Sequence, residues 1–105
     1  MRVYAMVRPK LLSQIPDEMA RAERLGYDGT TLLELTVPPT LSAAAGAMLT
    51  KDIKMMSGVF VAFPRSPMAT AYDAWSLNEL SGGRFQLGIG SQIKAHLTRR
   101  FGMDY

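Results

Sequence analysis

Apolar runs separated by short polar breaks divide the 105-residue chain into alternating strand-like and helix-like segments. Arg2 to Val7 alternates weakly and is apolar enough for a first strand. Arg8-Pro9-Lys10 ends it, since proline cannot continue a ladder. A helix is expected from Pro16, with Asp17 and Glu18 placing negative charge on the positive end of its dipole. Ile15, Met19, Ala22 and Leu25 recur at helical spacing, and Gly26 offers a left-handed stop. Asp28-Gly29 turns the chain into a second strand, Thr30 to Glu34, rich in β-branched and apolar residues. After the loop Val37-Pro38-Pro39-Thr40, the alanine-rich stretch from Leu41 to Leu49 favours helix despite Gly46. Its small side chains suit close packing on a sheet. Lys51-Asp52 leads into a third strand, Lys54 to Phe63, whose apolar run from Met55 reads as buried on both faces. Ser66 and Pro67 open a third helix as N-cap and first helical residue. That helix runs to Leu80 with Met68, Ala71, Tyr72, Trp75 and Leu80 facing inwards. Gly82-Gly83 stops it, Arg84 to Gly90 forms a fourth strand, and Ser91 to Arg100 is a loop entering a short basic helix.

The order is β-α-β-α-β-α-β with short connections, which calls for a parallel sheet with right-handed crossovers. Two α/β architectures satisfy it. One is a small open sheet; the other is the N-terminal half of a closed TIM (β/α)8 barrel, for which about 250 residues are typical. No terminal polar strand or capping helix follows Gly90. The chain therefore reads as the first four strands of one partial barrel domain, 1–105, with no second domain. Met1 reads as a genuine start and the chain as shortened at its C-terminus. Chemistry in such folds gathers where strands end, which draws attention to Ser57–Pro67.

Composition narrows the classes. With 48% hydrophobic and 20% charged residues the chain is globular in type. It has no cysteine and one histidine, so disulfides and thiolate sites are excluded and no metal site is expected. The net charge of +3 is mild, and Lys94, Arg99 and Arg100 lack the aromatic interleaving of a nucleic-acid surface. No nucleic-acid partner is expected. Neither a signal peptide nor a run of about 18 apolar residues is present, so a cytoplasmic protein with no membrane contact is expected. No Ser-His-Asp arrangement has positional support.

Three motifs carry a resemblance. They are Ala22-Glu23-Arg24-Leu25-Gly26-Tyr27-Asp28-Gly29; Gly58-Val59-Phe60-Val61-Ala62-Phe63-Pro64-Arg65-Ser66-Pro67-Met68; and Gly83-Arg84-Phe85-Gln86-Leu87-Gly88-Ile89-Gly90-Ser91-Gln92 with Arg99-Arg100-Phe101-Gly102. In this order and spacing they resemble the N-terminal part of the luciferase-like monooxygenase superfamily, within it most the coenzyme F420-dependent oxidoreductases. The resemblance implies a TIM-barrel enzyme that binds its deazaflavin, or alternatively FMN, across the C-terminal mouth of the strands. It implies hydride transfer with a small-molecule substrate, and a non-prolyl cis peptide at Gly58-Val59 against the ring.

Residue by residue, the resemblance makes Gly58, Val59, Phe60, Glu34, Arg65, Gly88, Gly90, Ser91 and Gln92 the cofactor-binding candidates. Glu34 stands where deazaflavin relatives carry an acid, against the plain reading of a loop carboxylate. Leu35 stands where some relatives carry a catalytic histidine, and leucine cannot transfer a proton. Gly88-x-Gly90 is not a dinucleotide fingerprint, because Ile93 occupies the third glycine position. It reads as bare strand-end backbone that a ring or diphosphate can approach, with Ser91 and Gln92 as donors. His96 is either a partly solvated residue of a basic helix or a contact at the mouth, which with Glu34 makes it a catalytic candidate. Arg65, Arg99 and Arg100 are candidates for a phosphate and an acidic tail. The rival from another class is a non-catalytic truncated or assembly fragment, self-associating through open barrel edges. Little turnover is expected of the 105 residues alone.

Overall fold

The computed structural model describes residues 1–8 and 10–105; Pro9, expected to end the first strand, lies outside the described residues. In chain order the elements are β1 (Tyr4–Val7), α1 (Ile15–Arg24), β2 (Gly29–Leu32), α2 (Pro39–Ala47), β3 (Lys54–Ser57), β4 (Phe60–Val61), α3 (Pro67–Ser81), β5 (Phe85–Gln86), β6 (Ile89–Gly90) and α4 (Lys94–Phe101). One 3-10 turn, Leu12–Gln14, precedes α1. The alternation expected from the pattern is present, with differences of detail.

Both long strands are split. The run expected as Lys54 to Phe63 divides into β3 and β4, and Arg84 to Gly90 divides into β5 and β6. The second strand stops at Leu32, two residues short of Glu34. Helix α2 begins at Pro39 rather than Leu41, because a proline in the first turn gives up no bond. The largest correction is on α3. Met68, Tyr72 and Trp75, expected inside, are 65%, 68% and 77% exposed, and Ala71 and Leu80 are exposed too. Thr70, Leu77 and Ser81 face inwards instead. These mostly small residues let the helix lie close, so size of apolar side chain points to the wrong face. Leu25 is likewise exposed, one position beyond the end of α1. Ser66 does cap α3, accepting from the Ala69 N–H at 3.1 Å.

Strands β1-β2-β3-β5 form one parallel sheet in sequential order, and β4 pairs with β6 in parallel beyond it. Each new strand is laid beside the last on the same side, as barrel closure requires; a doubly wound sheet would reverse. Register places Tyr4, Gly29 and Lys54 in one row and Met6, Thr31, Met56 and Gln86 in the next. The opposite face carries Val7, Leu32, Met55 and Phe85 into a core with Ile15, Met19 and Ala22 of α1, Ala43 and Ala47 of α2, Ile53, and Leu77 of α3. The Tyr4 hydroxyl donates to Gln86 Oε1 at 3.0 Å. These residues sit on the two outer strands, about 14 Å apart in a flat sheet at the usual strand spacing. They meet because the sheet curls toward that face, with the Tyr4 ring lying where a Gly29 side chain would be. The concave face is uncovered, and Met6 is exposed on it. Among the described residues, no helix is long and apolar enough to cross a membrane.

The end of the sheet away from the mouth is braced by two charged side chains from the resemblance motifs. Glu23 accepts from the backbone N–H groups of Lys51, Asp52 and Ile53, the last two at 2.8 and 2.9 Å. Arg84 uses all five of its N–H bonds, donating to Ser81 O, Thr50 Oγ1, Ile53 O, Ala47 O and Thr50 O. Together they fix the α2–β3 connection. Partial burial pushes the Glu23 carboxyl up, but the Asp52, Ile53 and Lys51 amides and the Arg84 charge outweigh it and hold the group below its ordinary value of 4.5. A depressed carboxyl stabilises the fold above its unfolded value and loses that contribution as pH falls through the folded one. Glu23→Gln is therefore expected to lower the urea midpoint at pH 7. In a pH series the gap between the two proteins should narrow progressively below pH 4.5; a gap independent of pH would contradict the brace.

Candidate functional site

At the C-terminal ends of the strands the sequence supplies two breaks side by side. β3 ends at Ser57 and β5 at Gln86; the chain jogs through Gly58-Val59 and Leu87-Gly88, then resumes as β4 and β6. The Gly58-Val59 peptide is cis. The jogs are bound to each other: the Ser57 hydroxyl donates to Gly88 O and accepts from Gly88 N–H, both at 2.9 Å. Beyond them the ladder is restored by Phe60 N–H to Gly88 O at 2.7 Å and Ala62 N–H to Gly90 O at 2.9 Å. Ser57 opens the stretch that the sequence singles out, but nothing in the sequence gives its hydroxyl a role; its place within an apolar run, where a polar group needs a partner, is the signal for one.

The two glycines after β5 make room for protein. A Cβ on Gly88 would lie 2.1 Å from Ser57 O, and one on Gly90 would lie 3.2 Å from the Val59 methyls. The close approach they allow in this structure is that of the neighbouring strand. Ser91 is exposed and Gln92 half-buried, and Gln92 holds a left-handed backbone with φ of 66°. Its Oε1 accepts from the Ile93 N–H at 3.0 Å, at the start of α4. A non-glycine residue in this region costs about 1–3 kcal/mol, and such positions cluster at functional sites.

Glu34 lies in the loop after β2 and is 7% exposed. Its Oε2 accepts from Val61 N–H at 2.6 Å and from Arg65 Nη1 at 3.1 Å, and its Oε1 from Arg65 Nη2 at 2.5 Å. Arg65 Nη1 also donates to Val61 O at 2.9 Å, and the guanidinium lies 4.0 Å from the Phe60 ring centroid. The fold thus brings Glu34, Gly58, Val59, Phe60, Arg65, Gly88 and Gly90 into one cluster. His96, on α4, is half-buried, and its Nδ1 is a buried atom with no hydrogen-bond partner among the described residues. Arg100 donates to Leu35 O, tying α4 to the loop after β2, while Arg99 is exposed. Among the described residues, no group of three or more His, Asp or Glu comes together.

Consecutive parallel strands with helices on one face and polar groups gathered at the strand ends define an α/β protein of the (β/α)-barrel class. The comparisons are specific: the family model for luciferase-like monooxygenases matches residues 2–105, and the chain belongs to that family. It is 37% identical to uncharacterized proteins of Mycobacterium tuberculosis and Mycobacterium bovis, over 93% of this chain and 31% of theirs. Among solved structures it is similar to the coenzyme F420-dependent tetrahydromethanopterin reductase of Methanopyrus kandleri, with a TM-score of 0.88 and 22% identity over 99% of this chain and 30% of that one. The oxygenating constituent of 3,6-diketocamphane monooxygenase from Pseudomonas putida, in complex with FMN, gives 0.85 and 20% over 99% and 33%. These two likenesses show the fold. The chain spans about a third of the length of each of these proteins.

Leu35, Leu87, Ile89 and Ile93 expose apolar surface around the jogs, and His96 Nδ1 is an unused polar atom nearby in sequence. The tight Ser57–Gly88 seam gives a direct test. Gly88→Ala should destabilise the chain by about 2 kcal/mol or more in urea unfolding, since backbone cannot swing aside. Gly90→Ala, against mobile methyls, should cost about 1 kcal/mol or less. Equal effects would mean that the seam does not hold the strand ends together.

Proposed function

We propose that these residues form the first part of the cofactor seat of an oxidoreductase that works with coenzyme F420, with FMN as the alternative. The observation that carries this reading is the pair of adjacent strand breaks at the mouth, Gly58-Val59 beside Leu87-Gly88, surrounded by exposed apolar side chains. Family membership supports redox chemistry, and the motif resemblance favours the deazaflavin. When bound, the cofactor supplies hydride transfer with a small organic substrate; the protein supplies orientation and electrostatics. In this reading the backbone of Gly58-Val59 and the exposed Ile89 seat the ring, and Ser91 and Gln92 donate hydrogen bonds at its edge. In the same reading Arg99, exposed on α4, meets an anionic tail, and His96 contacts the substrate.

A second reading rests on the outer edges of the sheet, where β1 and β5 have no further strand among the described residues, and on the open concave face. Unpaired edges promote association, so this reading is a self-assembling module.

Titration of the purified chain with F420 and with FMN, followed by cofactor fluorescence and paired with size-exclusion chromatography, separates them. Saturable binding by a monomer with F420 preferred, and turnover no faster than free cofactor, is expected. A preference for FMN would shift the assignment to the alternative. A folded dimer or larger species binding neither would favour the assembly module.

A further inference from the structure

Val61 is where the backbone of the mouth runs out of neighbours. In a parallel strand, successive residues direct their N–H and C=O groups to opposite sides. Phe60 and Ala62 bond toward β6, so Val61 must bond the other way, toward the path of β2. But β2 has ended at Leu32, and its last backbone bond to this strand is from Gly58 N–H to Leu32 O at 2.9 Å. Val61 is fully buried, so water cannot take the place of the missing strand. The Glu34 carboxylate and the Arg65 guanidinium take it instead, one accepting from the Val61 N–H and the other donating to its C=O.

We propose that Glu34 and Arg65 are positioning residues that stand in for the absent end of β2 and set the height of β4, and with it Gly58–Phe60, at the mouth. This rests on the reading of the mouth as a cofactor seat. In it, Glu34 moves no proton and Arg65 grips no phosphate. Both Glu34 oxygens are occupied within the chain, and the ion pair holds side chains only 6% and 23% exposed. The Arg65 plane is further fixed on Phe60. Lysine could keep the charge but not the fork that reaches Glu34 and Val61 O together.

Two measurements test this. Amide exchange by NMR needs no ligand. In Glu34→Gln and Arg65→Lys the Val61 amide should exchange about tenfold faster or more, with Thr30 and Met55 in β2 and β3 unchanged. Unaltered protection at Val61 would overturn the proposal. Should neither variant fold, the unsubstituted chain decides: its Arg65 Nη protons should give separate, slowly exchanging signals, and averaged ones would overturn it. The second measurement compares FMN with riboflavin, which lacks the phosphate. Arg65→Lys should weaken both by the same factor. Retained affinity for both flavins would refute the positioning role, and a loss confined to FMN would refute it by making Arg65 a phosphate ligand. If the unsubstituted chain binds neither flavin nor F420, the cofactor reading fails, and the exchange data still decide what Glu34 and Arg65 do.

Discussion

A buried backbone amide and carbonyl must be bonded, and at Val61 the sheet offers nothing to bond them. That constraint organises the mouth. It calls for a carboxylate and a guanidinium from different loops, draws the loop after β2 against the loop before α3, and leaves Phe60 under the Arg65 plane. Breaking such a buried pair by removing one member leaves a charge without compensation, typically costing about 3–5 kcal/mol. The local geometry of β4 is therefore tied to two side chains 31 residues apart.

The opposite end meets a related constraint differently. There the α2–β3 connection is held by Glu23 and Arg84, whose bonds go almost wholly to backbone. Neither residue borders the mouth. Both lie in motifs that carried the family resemblance, so part of that signature is structural. The division follows barrel logic: one end of the strands stabilises, and the other is free for chemistry.

Much of the architecture was legible in the sequence. Apolar strands, the Ser66-Pro67 start of α3, and Gly26 and Gly82 as left-handed stops all follow from local physics and recur in the structure. What was not legible has physical reasons. An apolar run does not reveal where its ladder breaks, so Lys54 to Phe63 reads as one strand. On α3 the large side chains advertise one face while Leu77 and the small residues Thr70, Ala74 and Ser81 provide the contact. At the site, Glu34 and Arg65 could be singled out by position and type, but their commitment to each other and to Val61 is a tertiary fact. Gly88 and Gly90 suggested room for a ligand, and the space beside them is filled by Ser57 and Val59.

The most direct measurement is a double-mutant cycle in urea unfolding on Glu34→Gln, Arg65→Met and the double variant. If the pair jointly replaces a strand, the two substitutions should couple by about 2–3 kcal/mol, the double variant losing far less than the sum of the singles. Additive losses, with coupling near zero, would contradict the account, leaving β4 held by its ladder to β6 alone.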